Sequence, residues 1–475
     1  MKASRVLQIV PLKFRPTDDG ALLFADDAGG YFKADQDFLE RYVDDSLTQS
    51  DHRFLDVNGH AFDGVGDLAY SGFEYRFASR LYSPAELDYV ILVPTLRCNL
   101  SCGYCQVSRV NETTPGFDWN GETLQAVLRF LGGLSTKRIK IEFQGGEPLL
   151  RLDVIRQVQA FCRSKFDHCE FVICTNLQEV SPEAWAVLEE PHVFTSTSLD
   201  ADRATHQAQR TKNAQKTSSF FDNLDAAVNR LGPDKISALP TINPTNPPPA
   251  TAVIETFVSY GIRSIYLRPV NYQGFARKRF DARSSASSWN RYHSSFIDAL
   301  IDFNWDADAP LEEYYFTHCL RRVLRSGHNH HADLRNPNII GYSYVVIDHD
   351  GKFYPTDEAR MVSRVGQFDL SMGDVFSGID RDKIDMLNAE ALNNFHPDCV
   401  HCPYQAFCGV DLVDDLSRYG RIDLPKHLTD FCQRHTYIFD KIFSLIYSED
   451  PKVGKSLAIW SRAPRFDSSF AKVHR

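Results

Sequence analysis

Apolar and polar positions follow two different rhythms along the chain. Over residues 1 to about 80, short apolar runs are broken at close intervals by turn-forming residues. Val6 to Phe14, Ala21 to Ala25 and Tyr31 to Lys33 predict three strands, separated by Thr17-Asp18-Asp19-Gly20 and Asp26-Asp27-Ala28-Gly29-Gly30. A helix is predicted from about Gln36 to Asp44, with Asp35 as N-cap and Phe38, Leu39, Tyr42 and Val43 as its apolar stripe. From about Asp88 the rhythm becomes an alternation of strand and helix. Strands are predicted at Tyr89 to Val93, Arg138 to Phe143, Glu170 to Cys174, Val193 to Ser198, Ile236 to Ile242 and Ile262 to Pro269, with an amphipathic helix from Gly121 to Leu131. That alternation is the mark of a parallel sheet, and six such units make a partial barrel open on one side, where a large substrate can enter. After a Ser/Ala/Arg-rich linker at Asp281 to Ser288, helices are predicted over Trp289 to Phe303 and Leu311 to Leu324.

Polar residues gather where these strands end. The first strand empties into a loop with Cys98, Cys102 and Cys105 in C-x3-C-x2-C spacing, an arrangement expected by chance only about 0.006 times for 11 Cys in 475 residues. Three thiolates on one loop can hold three irons of a cubane and leave the fourth open to a small molecule. Zinc wants four ligands in a closed set, and no fourth Cys or His lies within twenty residues of the triplet. One strand later comes Gln144-Gly145-Gly146-Glu147-Pro148, whose glycines let backbone groups approach a charged ligand. The third and fourth strands end in Thr175-Asn176-Leu177 and Ser196-Thr197-Ser198-Leu199-Asp200. Cys162, Cys169 and Cys174 have no ligand spacing and read as core or partly exposed thiols, and Cys319 as a packed thiol. His328, His330 and His331 offer a metal site on paper, but Gly, Asn and Ser around them indicate an exposed loop.

A second cysteine group, Cys399, Cys402 and Cys408 with Cys432 further on, supplies four protein ligands. Such a site is closed, and its role is structural or electron-transferring. Zinc competes with an iron–sulfur cluster for this group taken alone.

Length predicts two to four domains, and 43% hydrophobic with 24% charged residues is ordinary for a soluble globular protein. The net charge of -10 and the lack of a basic, aromatic-interleaved patch exclude a nucleic-acid-coating role; the basic stretch from Lys452 to Arg475 is expected to be a solvated tail. No apolar run reaches the roughly 18 residues of a membrane span, and the N-terminus is a poor signal peptide. Clustered cysteines fit a reducing, cytoplasmic setting.

The cysteine triplet, with Tyr104 just before its last member, resembles the cluster motif of the radical S-adenosylmethionine (SAM) superfamily. The resemblance implies an α/β fold: a partial (β/α)6 barrel with a small α+β N-terminal module and a C-terminal iron–sulfur auxiliary domain. It implies a [4Fe-4S] cluster on Cys98, Cys102 and Cys105 that chelates SAM and cleaves it to a 5′-deoxyadenosyl radical. Gly145 and Gly146 then match the backbone that holds the methionine amino group, with Glu147 fixing the turn, and Ser198 and Arg210 match contacts to ribose and carboxylate. Ala201, where a Gly is usual, and Gln207, where Asp is common, depart from the pattern. Arg268, on the run that resembles the last barrel strand, is either near the adenine or structural.

The second group resembles the auxiliary domain called SPASM or, when smaller, twitch. Thr356 and Leu412 stand where ligands of a first auxiliary cluster belong, and no Cys precedes Gly351 at the usual distance. One auxiliary [4Fe-4S] cluster on Cys399, Cys402, Cys408 and Cys432 is therefore expected. Asp357 holds the place of an acidic general base, against a plain turn with a local ion pair. The domains expected are 1–80, either a winged module similar to those that capture a leader peptide by strand addition or a small capping subdomain; 85–280, the barrel; 281–335, a helical linker; 336–445, the auxiliary domain; and 446–475, the tail. Over nearly the whole chain the resemblance is to peptide maturases, most of all the B-type maturase of the His-Xaa-Ser system. It implies a ribosomally made precursor peptide as substrate, a reductase or ferredoxin-type electron donor and a companion maturase. A sulfatase-type protein maturase and an iron–sulfur electron carrier or scaffold are the alternatives.

Overall fold

The computed structural model describes residues 7–243, 245–273, 276–277, 286–327, 330–466 and 470–474. Val6, residues 281–285 of the expected linker, and His328 lie outside the described residues. The N-terminal rhythm forms an antiparallel meander of β1 (Lys13–Pro16), β2 (Leu22–Ala25) and β3 (Tyr31–Ala34), with Phe24 opposite both Phe14 and Phe32. Pro11 splits the first predicted run, because it brings no N–H to a ladder, and Gln8–Ile9 pairs instead with Ala61–Phe62. Asp35 caps α1 (Gln36–Val43), accepting from Phe38 N at 2.8 Å, and Phe38 packs edge-on to Phe24 and Phe32.

The centre is a parallel run of β4 (Tyr89–Leu92), β5 (Arg138–Phe143), β6 (His168–Cys174), β7 (Val193–Thr197) and β8 (Ile236–Ala238), paired in that order. The alternation in β5 shows how the sequence makes it: Ile139, Ile141 and Phe143 are buried in the core, while Lys140 and Glu142 face the other way. The predicted fifth strand is cut at Leu239-Pro240 and resumes as Thr241–Ile242, which pairs in parallel with Arg268–Pro269. The predicted sixth also splits, and Ser264–Ile265 pairs with Glu312–Glu313. On the open side of β4 the sheet is extended by β9 (Tyr344–Ile347) in parallel and β10 (Phe353–Tyr354) in return. The α/β class and the partial barrel follow from this order.

The second half is mainly helical: α2 (Ala286–Asp306), α3 (Tyr314–Leu324), α4 (Asp357–Arg364), α5 (Leu412–Tyr419), α6 (Asp430–Ile446) and α7 (Pro451–Ser461). The expectation of a solvated basic tail fails. Val453, Leu457 and Trp460, spaced four and three apart, bury one face of α7, and Trp460 Nε1 donates to Leu311 O at 2.9 Å. Lys472–His474 then runs beside β3, with Lys33 N donating to Lys472 O at 2.9 Å and His474 N to Lys33 O at 2.8 Å. The His474 ring is buried against Phe54 and lies 2.5 Å from Asp51 Oδ1. Among the described residues no helix is long and apolar enough to cross a membrane.

Candidate active site

The loop after β4 and the glycine turn after β5 are held together backbone to backbone. Gly146 N donates to Thr95 O at 3.0 Å and Glu147 N to Arg97 O at 2.8 Å. A Cβ on Gly145 would stand 2.2 Å from Thr95 O, and one on Gly146 would stand 2.1 Å from Arg97 O, so neither position tolerates a side chain. Gly145 also has φ +136°, a region that only glycine enters freely. Glu147 is buried behind this turn. Its carboxylate accepts from Leu149 N (3.1 Å) and Asn176 N (2.8 Å), while burial pushes its pKa up to about 7. It braces the turn from outside the cavity.

Cys98, Cys102 and Cys105 face one cavity of about 270 Å³, together with Gly145, Gly146, Ser198 and Arg210. Leu100 N points at Cys98 Sγ from 3.5 Å and Asn176 Nδ2 from 3.7 Å, contacts that favour a thiolate. Burial pushes the Cys98 thiol up to about 12, and Cys102 is raised for the same reason. A bound cation is what would deprotonate them. Arg210 sits in a π-turn, Gln207–Thr211, of the kind found at functional sites. Its guanidinium grips Asp200 with Nε–Oδ2 at 2.9 Å and Nη2–Oδ1 at 3.0 Å and lies over the Tyr104 ring. Tyr104 OH and Thr241 N also bond Asp200. The cysteine loop is thereby locked to the end of β7.

Asp357 reaches the same cavity from the first turn of α4 and pairs with the buried Arg360, Oδ1 to Nη2 at 2.8 Å. Asp357 therefore makes the local ion pair and also lines the cavity. Sequence reasoning missed Glu142 and gave Cys174 no place at the site. Cys174, one of the partly exposed thiols expected, lines the cavity with Sγ 3.2 Å from Glu142 Oε1, whose partner oxygen accepts from Tyr89 OH. The available signal was its place as last residue of β6, level with Thr175 and Asn176.

A second, smaller cavity of about 40 Å³ is lined by Cys399, Cys402, Cys408 and Cys432, under Phe431 and Phe439. Thr356 caps α4, accepting from Ala359 N, and Leu412 opens α5 as a buried apolar residue, so both expected gaps in the ligand set have structural occupants. A tetrahedral zinc would bring its sulfur ligands to about 3.8 Å of one another. Among the described residues only Asp348, His349 and Asp350 place three ligand-type atoms within 4.8 Å. Both cysteine groups are therefore spread more widely than one such ion holds its ligands.

His206, in the turn before Arg210, stacks on Phe220 with centroids 4.0 Å apart, and neither ring nitrogen has a hydrogen-bond partner among the described residues. Burial, then the Arg210 charge, lower its pKa to about 3. A depressed histidine contributes stability above the unfolded pKa of about 6.5 that is lost as pH falls towards the folded value. His206→Phe is expected to remove this acid sensitivity. Between pH 6.5 and 5 the wild type should lose about 2 kcal/mol more than the variant, read from urea midpoints.

Residues 92–246 match the family model described as the radical SAM superfamily. An uncharacterised protein of Methanocaldococcus jannaschii is 29% identical over 116 residues, covering 24% of this chain and 39% of that protein. The GTP 3′,8-cyclase of Erythrobacter litoralis is 32% identical over 134 residues, covering 27% and 39%. The chain thus spans about two-fifths of the length of these curated relatives. Native anSMEcpe with bound AdoMet and Cp18Cys peptide is similar in fold, with TM-score 0.60 and 17% identity over 75% of this chain and 96% of that one. SuiB of Streptococcus suis bound to the precursor peptide SuiA gives TM-score 0.50 and 14% identity over 88% and 100%. Residues 92–246 thus carry the sequence pattern of the radical SAM superfamily model, and the chain shares the fold of these solved structures.

Proposed function

We propose that the chain is a radical SAM peptide maturase that modifies a ribosomally synthesised precursor peptide by hydrogen abstraction. The observation that carries this reading is that three thiols of one loop, a glycine turn without room for side chains and Asp357 face a single cavity. When bound, a [4Fe-4S] cluster on Cys98, Cys102 and Cys105 supplies the electron that cleaves SAM to a 5′-deoxyadenosyl radical. Backbone groups of Gly145 and Gly146 hold the methionine end. Ser198 and Arg210, the latter fixed by Asp200, would contact the ribose and the carboxylate. Asp357 takes the substrate proton, its charge held by Arg360. Asp357→Asn is expected to lower peptide modification by roughly 10²- to 10⁴-fold, with partial recovery in Asp357→Glu, scored by mass spectrometry of the peptide.

Cys399, Cys402, Cys408 and Cys432 hold one auxiliary [4Fe-4S] cluster in a SPASM- or twitch-like domain, where it passes electrons on. Arg15 of β1 reaches that domain through Asp440 (2.8 Å). A leader peptide would add at the β1 edge, since the chain's own Lys472–His474 takes the β3 edge. We place the protein in the cytoplasm with a ferredoxin-type donor and a companion maturase, in the B-type branch of the His-Xaa-Ser system. Anaerobic reconstitution with reductant and SAM tests the whole: 5′-deoxyadenosine and about eight irons per chain are expected. Four irons would remove the auxiliary site, and zinc without iron would remove the function. A neighbouring short reading frame with repeated His-Xaa-Ser supports the branch, and a different precursor would refute it.

A further inference from the structure

Between the SAM-type cavity and the four-cysteine cage lies a third cavity, of about 120 Å³. It shares Arg268, Pro269 and Asn271 with the first, and Asp411 and Phe431 with the second. That volume is below the roughly 300 Å³ of a small-molecule site and suits one side-chain head. Its charges are unbalanced. Of the carboxylates lining it, Asp414 is tied to Arg418 (2.9 Å), and Glu313 is satisfied by Leu267 N and Phe316 N. Of the cations, Arg434 is held by Asp430 at 2.6 Å. Asp411 caps α5, accepting from Val413 N at 3.0 Å and Asp414 N at 2.9 Å. Asp333 and Glu358 then face only Arg268, which stays 3.9 Å from Glu358 and lies over the Tyr266 ring. Two carboxylates against one guanidinium leave the space short of positive charge. Burial, then the neighbouring Asp357 carboxylate, push Glu358 up to about 7, as expected of a buried carboxyl short of positive charge.

Two further observations point to a ligand and to its class. Gln273 lines the cavity, is 2% exposed, and its Oε1 has no hydrogen-bond partner among the described residues, so a buried acceptor awaits a donor. The walls include the rings of Tyr266, Tyr315, Tyr344 and Trp289, faces that attract a cation. Among the described residues, no three of these carboxylates bring one oxygen each within 4.8 Å of one another, a spread too wide for one metal ion. It fits an organic cation with several N–H donors.

We infer that this acidic, aromatic-walled cavity is a specificity subsite that receives the cationic side chain, arginine or lysine, of the substrate. That the occupant belongs to a peptide rests on the function proposed above, and the presence of a cation subsite does not. Asp333 and Glu358 pair with the charge, Gln273 accepts from it, and the occupant is held with its backbone towards the cavity that contains Asp357.

The test is equilibrium binding to the reconstituted protein, without reductant or SAM, so that it reads the subsite whether or not 5′-deoxyadenosine is ever formed. The probes are N-acetyl-L-arginine amide, N-acetyl-L-lysine amide and the neutral isostere N-acetyl-L-citrulline amide, followed by calorimetry. At least one cationic probe is expected to bind roughly tenfold or more tightly than citrulline, and Asp333→Asn to lose that preference. Equal binding of the cationic probes and citrulline overturns the proposal, as does an Asp333→Asn protein that melts like the wild type and keeps the preference. Should Asp333→Asn not fold, the wild-type comparison of charged and neutral probes decides alone.

Discussion

Gly146→Ala is expected to weaken SAM binding at least tenfold and to destabilise the fold by about 1–3 kcal/mol. The added methyl would stand 2.1 Å from Arg97 O and 2.6 Å from Leu96 O. Neither atom is the flexible end of a side chain, so the loop bearing Cys98 must move as a unit, and with it the hydrogen bond from Glu147 N to Arg97 O. An error of about 1 Å in the placement of reacting groups is enough to cost of order a hundredfold in rate. Gly121→Ala is the control. That glycine opens a helix with nothing within 4 Å of its would-be Cβ, and the change should stay within about 0.5 kcal/mol. Calorimetric titration with SAM and urea midpoints read both effects.

Arg210→Met should cost about 3–5 kcal/mol, because it strands Asp200 as a buried carboxylate. Tyr104 OH and Thr241 N would still bond Asp200, but neither supplies charge. The double variant Asp200→Asn/Arg210→Met removes the stranded charge and should recover much of the loss. A double variant no more stable than Arg210→Met would show that the ion pair is not what holds the loop.

What could be read from the sequence was local. Cys98, Cys102 and Cys105 announce themselves by spacing on seven or so residues of chain, and β5 appears within its expected bounds because its buried face alternates strictly. Asp35 as N-cap needed only its own helix. Elements that depend on distant partners were less legible. Pro240 splits a strand whose apolar pattern runs on past it, since a residue without N–H cannot carry the ladder while its pairing passes to Arg268–Pro269. The tail is basic on average, yet three apolar residues on one face of α7 decide its fate. Cys174 and Glu142 meet only because parallel pairing sets Val172 beside Glu142 and carries both strands to the cavity. Asp333, Glu358 and Asp411 come from three separate segments with no spacing to betray them.

The reading of Cys98, Cys102 and Cys105 as ligands that leave one iron open is tested most directly by electron paramagnetic resonance of the anaerobically reduced protein, recorded before and after SAM is added. The account predicts that the wild-type [4Fe-4S] signal changes on adding SAM and that no such change occurs in Cys102→Ser. A wild-type signal indifferent to SAM, or a Cys102→Ser signal that still responds, would contradict it.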